Sequence, residues 1–187
     1  MSSAPRIIRN SVVVTDEWTL IPAIEDGAAA ALPGGKVIVP LNVWLAQREG
    51  LLERASGKDA ALGVWLDSNQ DPAALVDTIA RISVIAVNFP RFTDGRGYSI
   101  AALLRSRYGF RGELRAIGDV LRDQLFSMQR VGFDAYSTRP DRSIHDALKG
   151  LTVFSETYQA SWDEKTPLFR RHPRDVQSPD TDVAFGI

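Results

Sequence analysis

The 187-residue sequence contains no cysteine, and this absence excludes several chemistries at once. Without thiols a chain has no disulfide, no thiol nucleophile, no Cys-ligated iron–sulfur cluster and no thiolate zinc site. Histidine is nearly as scarce, because His145 and His172 are the only two and lie in different segments. We therefore expect no histidine-based metal centre and predict no metal ligand, although carboxylates alone can hold magnesium.

The sequence also lacks a surplus of one charge and any long apolar run. It has 22 basic and 23 acidic residues and a net charge of −1. This balance disfavours non-specific nucleic-acid binding, which needs excess positive charge to neutralise the phosphates. No apolar run approaches the ~18 residues that a membrane helix needs. The first residues lead into an alternating pattern rather than an apolar signal core. We expect a cytoplasmic protein that binds neither nucleic acid nor membrane.

What is present is the composition of a globular domain, with 44% hydrophobic and 24% charged residues. We predict a single α/β domain over residues 1–160 and a polar C-terminal tail over residues 161–187, where Pro167, Pro173 and Pro179 occur. Residues 1–21 are predicted to form an N-terminal β-hairpin. Its arms are residues 7–14 and 18–21, with the turn at residues 15–17.

Apolar strand patterns alternate with helical patterns along the rest of the domain. The predicted strands are residues 37–39, 62–66, 82–87, 114–117 and 135–137. Predicted helices cover residues 25–32, 41–54, 72–79, 99–108 and 120–131, and a last helix begins at Ser143. This alternation indicates a parallel sheet. We predict a partial (β/α) barrel of about five units. An open doubly wound sheet is the alternative, which the lack of a Gly-rich turn after the first strand disfavours.

In both architectures ligands bind at the carboxyl ends of the strands, and polar residues follow each predicted strand. Asn42 and Trp44 follow the first; Asp67, Ser68 and Asn69 the second; Asn88, Arg91, Thr93, Asp94 and Arg96 the third; Asp119, Arg122 and Asp123 the fourth; and Thr138 and Arg139 the fifth. Arginines and carboxylates collected at one edge are typical of a site for a polar or anionic ligand.

The segment 88–99 is the sharpest candidate, because it leaves a strand, carries two glycines and opens a helix. Backbone N–H groups at such a turn attract anions, and a guanidinium can clamp them. The predicted ligand-binding residues here are Arg91, Thr93, Gly95, Arg96, Gly97, Tyr98 and Ser99. The alternative is a structural turn in which Gly95 supplies a positive φ and Ser99 caps the helix. A third dinucleotide-type glycine and a Walker lysine are both lacking.

The segment 118–124 is the second candidate, because Asp119 closes a strand. Asp119 is expected either to cap the following helix or to act as a general base, with Asp94 as the second predicted catalytic residue. Arg122 and Arg139 complete the predicted ligand-binding set. His145 is expected to be exposed near the start of the last helix.

Three segments together, residues 92–99, 112–124 and 132–135, resemble the bacterial domain of unknown function family 934. The resemblance extends from the first buried strand to about Tyr158. It implies a role in assimilatory sulfur metabolism, since members are typically encoded beside sulfite reductase and other sulfate-assimilation genes. Some members carry the label oxidoreductase. The family has no established catalytic residue, so none is transferred to this chain.

Three functional hypotheses follow from the residues and the resemblance. The first is an accessory or regulatory protein of sulfite reduction that binds a small anionic ligand or docks on sulfite reductase. The second is a small-molecule enzyme acting on an anionic metabolite, with a flavin or nicotinamide nucleotide as cofactor if it is an oxidoreductase. The third is a structural half-barrel that forms a homo-oligomer and has no ligand. We favour the first.

Overall fold

The computed structural model describes residues 5–27, 31–55 and 61–171. Its strands are β1 (Arg6–Arg9), β2 (Val12–Thr15), β3 (Thr19–Leu20), β4 (Val37–Pro40), β5 (Leu62–Leu66), β6 (Val84–Phe89), β7 (Glu113–Gly118) and β8 (Ala135–Tyr136). The helices are α1 (Leu41–Ala46), α2 (Arg48–Arg54), α3 (Arg96–Ala102), α4 (Arg122–Val131), α5 (Ile144–Leu148) and α6 (Leu168–Arg171). The segments Pro72–Arg81 and Lys149–Thr152 are 3₁₀-helical, and Leu103–Arg107 continues α3 as a π-helix.

Within the described residues the eight strands form one mixed sheet, in the order β2-β1-β8-β7-β6-β5-β4-β3. Strands β3 to β8 are parallel and stand side by side in chain order. A doubly wound sheet reverses its strand order at a switch point, and this sheet does not. The fold is therefore the predicted barrel-like one, and all five predicted strands are present as β4 to β8.

The link between β2 and β3 shows how strongly the sheet curls. These two strands are its opposite edges, yet only Asp16, Glu17 and Trp18 join them. Four Cα–Cα steps of about 3.8 Å span at most ~15 Å. In a flat sheet with strands ~4.8 Å apart, the edges of an eight-stranded sheet would lie ~34 Å apart. The sheet therefore curls into a half-barrel whose edges approach each other.

The N-terminal hairpin is present, but its predicted turn was wrong. β1 and β2 pair antiparallel, and the turn between them is formed by Asn10 and Ser11, with φ values of 49° and 62°. Two successive positive φ values give a turn that matches the twist of the strands. The predicted second arm is instead β3, which pairs in parallel with β4 at the far edge of the sheet.

Apolar side chains cover both faces of the sheet. On the helix side Ile85, Val87 and Phe89 of β6 join the main core and have no exposed surface. On the concave side a smaller cluster contains Ile38, Val84, Ala86 and Ile117, with Trp18 and Trp65 packed against it. Burial on both faces explains why β6 reads as a continuous apolar run rather than an alternating one.

A buried arginine ties the β2–β3 link to the concave side of the sheet. Arg115 of β7 is 2% exposed. Its Nη1 donates to Asp16 Oδ2 at 2.9 Å, and its Nε donates to Glu113 Oε1 at 2.7 Å. A guanidinium is tolerated inside a protein when carboxylates neutralise it in this way. The ion pair between Asp16 and Arg115 therefore holds the β2–β3 link against the concave side of the sheet.

Two helical segments begin at the positions predicted from the sequence, because a capping side chain fixes each start. Asp71 Oδ1 accepts from the backbone N–H of Ala73 and starts the 3₁₀ segment Pro72–Arg81, and the Ser143 hydroxyl accepts from that of Asp146 at α5. The predicted helix at residues 25–32 partly covers residues 28–30, which lie outside the described residues. In the described part of the chain no helix is long and apolar enough to cross a membrane.

The first part of the predicted tail is attached to the domain. The backbone N–H of Trp162 donates to the Arg130 carbonyl of α4 at 3.0 Å, and Arg130 Nη1 donates to Asp163 Oδ1 at 2.8 Å. Trp162 also lies under the guanidinium of Arg105, 5.7 Å from it. Residues 161–163 therefore pack against α4, and Leu168 and Arg171 bond to residues 156–158. The rest of the predicted tail, with His172, lies outside the described residues.

Candidate functional site: the strand-end rim

The loop between β6 and α3 is closed by an ion pair within itself. Asp94 Oδ1 accepts from the backbone N–H of Arg96 at 3.1 Å and from its Nε at 3.0 Å. Asp94 Oδ2 accepts from Arg96 Nη2 at 2.6 Å and from the Ser68 hydroxyl at 2.7 Å. Ser68 follows β5, so this cluster ties the ends of two neighbouring strands together. Bidentate arginine–carboxylate pairs are among the stronger polar contacts in proteins.

This pairing changes what Asp94 and Arg96 can do chemically. The hydrogen bonds from Arg96, and next that from Ser68, hold the pKa of Asp94 well below its usual range. The Asp94 carboxylate in turn raises the pKa of Arg96. A carboxylate stabilised in its ionised form is a weak base. The geometry therefore gives Asp94 a structural role, and the Arg96 guanidinium that was predicted to clamp a ligand already has a carboxylate partner.

The two predicted segments meet at this rim through Asp119. Asp119 Oδ2 accepts from the backbone N–H of Phe92 at 2.8 Å, and its Oδ1 accepts from Arg139 Nη1 at 3.2 Å. Gln124 Nε2 donates to the Phe92 carbonyl at 3.1 Å, so a second contact joins the same two segments. The prediction that residues 88–99 and 118–124 share one edge of the sheet is correct.

The capping role predicted for Asp119 was wrong. The N-cap of α4 is Leu121, two residues later, and the Gln124 side chain accepts from the Leu121 backbone N–H at 2.9 Å. Because Gln124 satisfies this N–H, the Asp119 carboxylate is free to bridge Phe92 and Arg139. Sequence reasoning missed Gln124, although a glutamine three residues after a helix N-cap is a recognised capping signal.

Neither glycine of the loop has a positive φ, and only Gly97 is required by packing. Gly95 has a φ of −83°, so the predicted left-handed turn is absent there. A Cβ at Gly97 would lie 2.6 Å from the Phe89 ring, which fills the space beside this residue. Tyr98 packs edge-on against the same ring at 5.5 Å, and burial raises the pKa of its hydroxyl. Ser99 lies inside α3, which begins at Arg96, so it does not cap the helix.

The remaining predicted arginines are either paired with carboxylates or exposed. Arg122 pairs with Asp146 of α5 at 3.1 Å. Arg139 forms a bidentate pair with Asp141, with both N–O distances at 2.9 Å, besides its contact with Asp119. Arg91 and Thr93 are exposed on the outer part of the loop. Of the predicted ligand-binding arginines, Arg96, Arg122 and Arg139 therefore each lie beside a carboxylate of this chain.

The ends of β4 and β5 contribute structural contacts. The Asn42 side chain donates to the Ile24 carbonyl at 2.5 Å, and Trp44 is fully buried in the core. Asp67 Oδ1 accepts from Asn88 Nδ2 at 3.2 Å and links β5 to β6. In the described ranges no group of three His, Asp or Glu side chains could hold a metal ion.

Two further arginines lie near Arg139 and were not predicted. Arg142 follows it by three residues, and Arg6 lies in β1, which pairs with β8. Arg6 Nη1 is 3.3 Å from His145 Nε2. The spacing of Arg142 from Arg139 was a signal available in the sequence. No local pattern in the sequence predicts that Arg6 lies here, because the pairing of β1 with β8 joins segments that are far apart in the chain.

Residues 63–169 match the model of a family described as bacterial protein of unknown function (DUF934). The chain belongs to the DUF934 family. The match covers more than half of the sequence and begins in β5, so the DUF934 region contains Asp94, Asp119 and Arg139, whereas Arg6 lies before it. No curated protein and no solved structure matches the chain.

Proposed function

We propose that this DUF934 protein is a cytoplasmic accessory or regulatory protein of assimilatory sulfite reduction, which binds a small anionic ligand or docks on sulfite reductase. The pathway is inferred from the family resemblance, whose members are typically encoded beside sulfite reductase genes. The mode of action is inferred from the rim formed by the carboxyl ends of the strands.

The observation that carries this proposal is that the carboxylates of Asp94 and Asp119 are both hydrogen-bonded within the rim. Asp94 accepts four hydrogen bonds from Arg96 and Ser68, and Asp119 accepts one from Phe92 and one from Arg139. A general base must be able to reach a proton on the substrate. Both carboxylates instead hold the rim together, which favours binding over the enzyme alternative.

The charges of the rim support an anionic ligand. Arg91 is exposed at the end of β6, and Arg139 and Arg142 follow β8. The Arg142 side chain is 72% exposed, and the nearest carboxylate among the described residues, that of Asp141, is 3.7 Å away. Exposed guanidinium groups with weak internal partners attract oxyanions, because each offers a planar fork of N–H donors.

A deletion strain tests the physiological part of the proposal. We expect the strain to grow normally on cysteine and poorly on sulfate as sole sulfur source, because sulfite reduction is needed only in the second medium. A plasmid copy of the wild-type gene should restore growth. In the complemented strain, an affinity-tagged copy should co-purify with sulfite reductase, or sulfite reductase activity in lysates should change when the protein is absent.

Two results together would contradict the proposal. They are equal growth of the deletion and wild-type strains on sulfate, and no change in sulfite reductase activity on deletion. As a matched control, a variant with the exposed Arg170→Gln change in α6 should complement as well as the wild type, because Arg170 lies on the C-terminal segment outside the rim.

A further inference from the structure

We infer that a hollow at the carboxyl end of β8 binds the phosphate or sulfate ester of a small organic molecule. The inference rests on the proposed function for its physiological meaning, since it names the site and the class of the anionic ligand. The hollow has a volume of about 490 Å³ and lies between the start of β1 and the loop from β8 to α5. Its polar lining includes Arg6, Thr138, Arg139, Arg142, Ser143 and His145.

The lining carries more positive than negative charge. Arg139 is neutralised by Asp119 and by Asp141, at 3.2 and 2.9 Å. Within the described ranges the one carboxylate contact of Arg142 is with Asp141, at 3.7 Å, and both oxygens of Asp141 already accept from Arg139. Three guanidinium groups therefore meet at this hollow with two carboxylates near them.

Arg6 supplies the cation that lacks a carboxylate. Its described hydrogen-bond partner is His145, at 3.3 Å, and no carboxylate in the described part of the chain pairs with it. Arg6 and His145 both line the hollow, and their contact joins β1 to α5. An uncharged imidazole can accept this hydrogen bond at Nε2 while its other ring nitrogen keeps a proton to donate. Among the described residues no acceptor is bonded to the other N–H groups of Arg6, so these groups can donate to an oxyanion.

Hydroxyl donors complete the polar side of the hollow. The Ser143 oxygen accepts from the backbone N–H of Asp146 at 3.3 Å, which leaves its own proton available. Thr138, half-buried, lies in the same wall. A phosphate or sulfate group carries three or more acceptor oxygens, so guanidinium forks from two directions and a hydroxyl can bind it together.

Size and apolar walls indicate an organic ester rather than a bare ion. Small-molecule sites enclose roughly 300–1,000 Å³ and combine apolar walls with a few polar groups. The volume of this hollow lies in that range, and Pro5, Pro140 and Ile144 provide apolar surface beside the arginines. The anionic group would contact Arg6 and Arg142, and the organic part would lie against these apolar side chains.

Calorimetric titration of the full-length protein tests the site. The probes are adenosine 5′-monophosphate, glucose 6-phosphate and 4-nitrophenyl sulfate as esters, and inorganic sulfate and phosphate as bare ions. We expect at least one ester to bind more tightly than both inorganic ions. Arg6→Gln and Arg142→Gln should each weaken its binding about tenfold or more, as expected for the loss of a charge-assisted hydrogen bond. Arg170→Gln, which removes the same charge elsewhere, should leave it unchanged.

Three outcomes would overturn the inference. They are no ester binding at millimolar concentration, binding that is insensitive to both substitutions, and inorganic ions binding as tightly as every ester. Growth on sulfate separates this result from the proposed function. If an ester binds through Arg6 and Arg142 but deletion of the gene leaves growth on sulfate normal, the site stands and the proposed function fails. If no ester binds but the deletion strain fails to grow on sulfate, the ester site is refuted and the proposed role in sulfite reduction stands.

Discussion

Replacement of Arg105 by methionine is expected to destabilise the fold strongly. Arg105 lies in the π-helical continuation of α3 and is 5% exposed. Its Nε donates to the Gly132 carbonyl at 2.9 Å, and its Nη1 donates to the carbonyls of Phe110 and Gly112 at 3.0 and 2.9 Å. Its Nη2 donates to Asp134 Oδ2 at 2.8 Å. One side chain thus holds α3, the start of β7 and the end of α4 together.

The magnitude follows from the groups that methionine leaves without a donor. Burial raises the pKa of Asp134, and the charge of Arg105 opposes this effect. The Asp134 side chain is 36% exposed and keeps the backbone N–H of Leu114, so the larger cost comes from the three carbonyls that lose their donor. Each buried acceptor left unsatisfied costs about 1–3 kcal/mol, and we expect a total loss of about 3–5 kcal/mol. For a chain of this size each kcal/mol lowers the melting temperature by about 2–4 °C. Arg105→Met should therefore lower it by roughly 6–20 °C.

Arg107→Met is the matched control, because Arg107 lies two residues along the same segment and is exposed. We expect its free energy of unfolding to stay within about 0.5 kcal/mol of the wild type. Urea unfolding followed by tryptophan fluorescence and by circular dichroism gives both values. If Arg105→Met lost less than about 1 kcal/mol relative to Arg107→Met, the assignment of Arg105 as a central polar tie would be refuted.

Two further predictions concern the rim. Gly118 has a φ of +92° and a Cβ there would lie 2.5 Å from a backbone oxygen, so Gly118→Ala should cost more than about 2 kcal/mol in urea unfolding. Gly109→Ala, with a φ of +67° and open space, should cost only about 1 kcal/mol; equal losses would contradict the argument. The pKa of Asp94 is lowered from 3.8 on folding, so its ionised carboxylate stabilises the folded protein at pH values above 3.8. This contribution to the free energy of unfolding is lost as the pH falls through the pKa of the folded state. When the pH is lowered from about 5 to about 2, the free energy of unfolding should therefore decrease less for Asp94→Asn than for the wild type. The exposed control Asp77→Asn should show the same decrease as the wild type.

Local patterns in the sequence were sufficient to predict most elements of the fold. Strands β4 to β8 are apolar runs between turn residues, and this contrast depends only on neighbours in the chain. The starts at Asp71 and Ser143 were equally readable, because a capping side chain binds an N–H two or three residues away. The parallel sheet followed from the alternation of strands and helices, and the barrel-like form from the lack of a Gly-rich turn after the first predicted strand.

Partners far apart in the sequence could not be predicted in the same way. The position of β3 at the opposite edge from β2 depends on its pairing with β4, which no pattern within residues 16–20 encodes. For Arg96, the sequence showed a free cation beside an acid, whereas the structure shows a closed pair that also includes Ser68, 28 residues away.

The sequence by itself therefore determined which segments become strands and helices and that their polar ends share one edge of the sheet. The tertiary structure decided which of those polar groups have partners within the chain. It placed Arg6 in contact with His145, at the hollow that Arg142 also lines, because β1 pairs with β8, which lies far from it in the chain. Hydrophobic periodicity is a local property, whereas the neutralisation of a charge depends on whatever the fold places within a few ångströms of it.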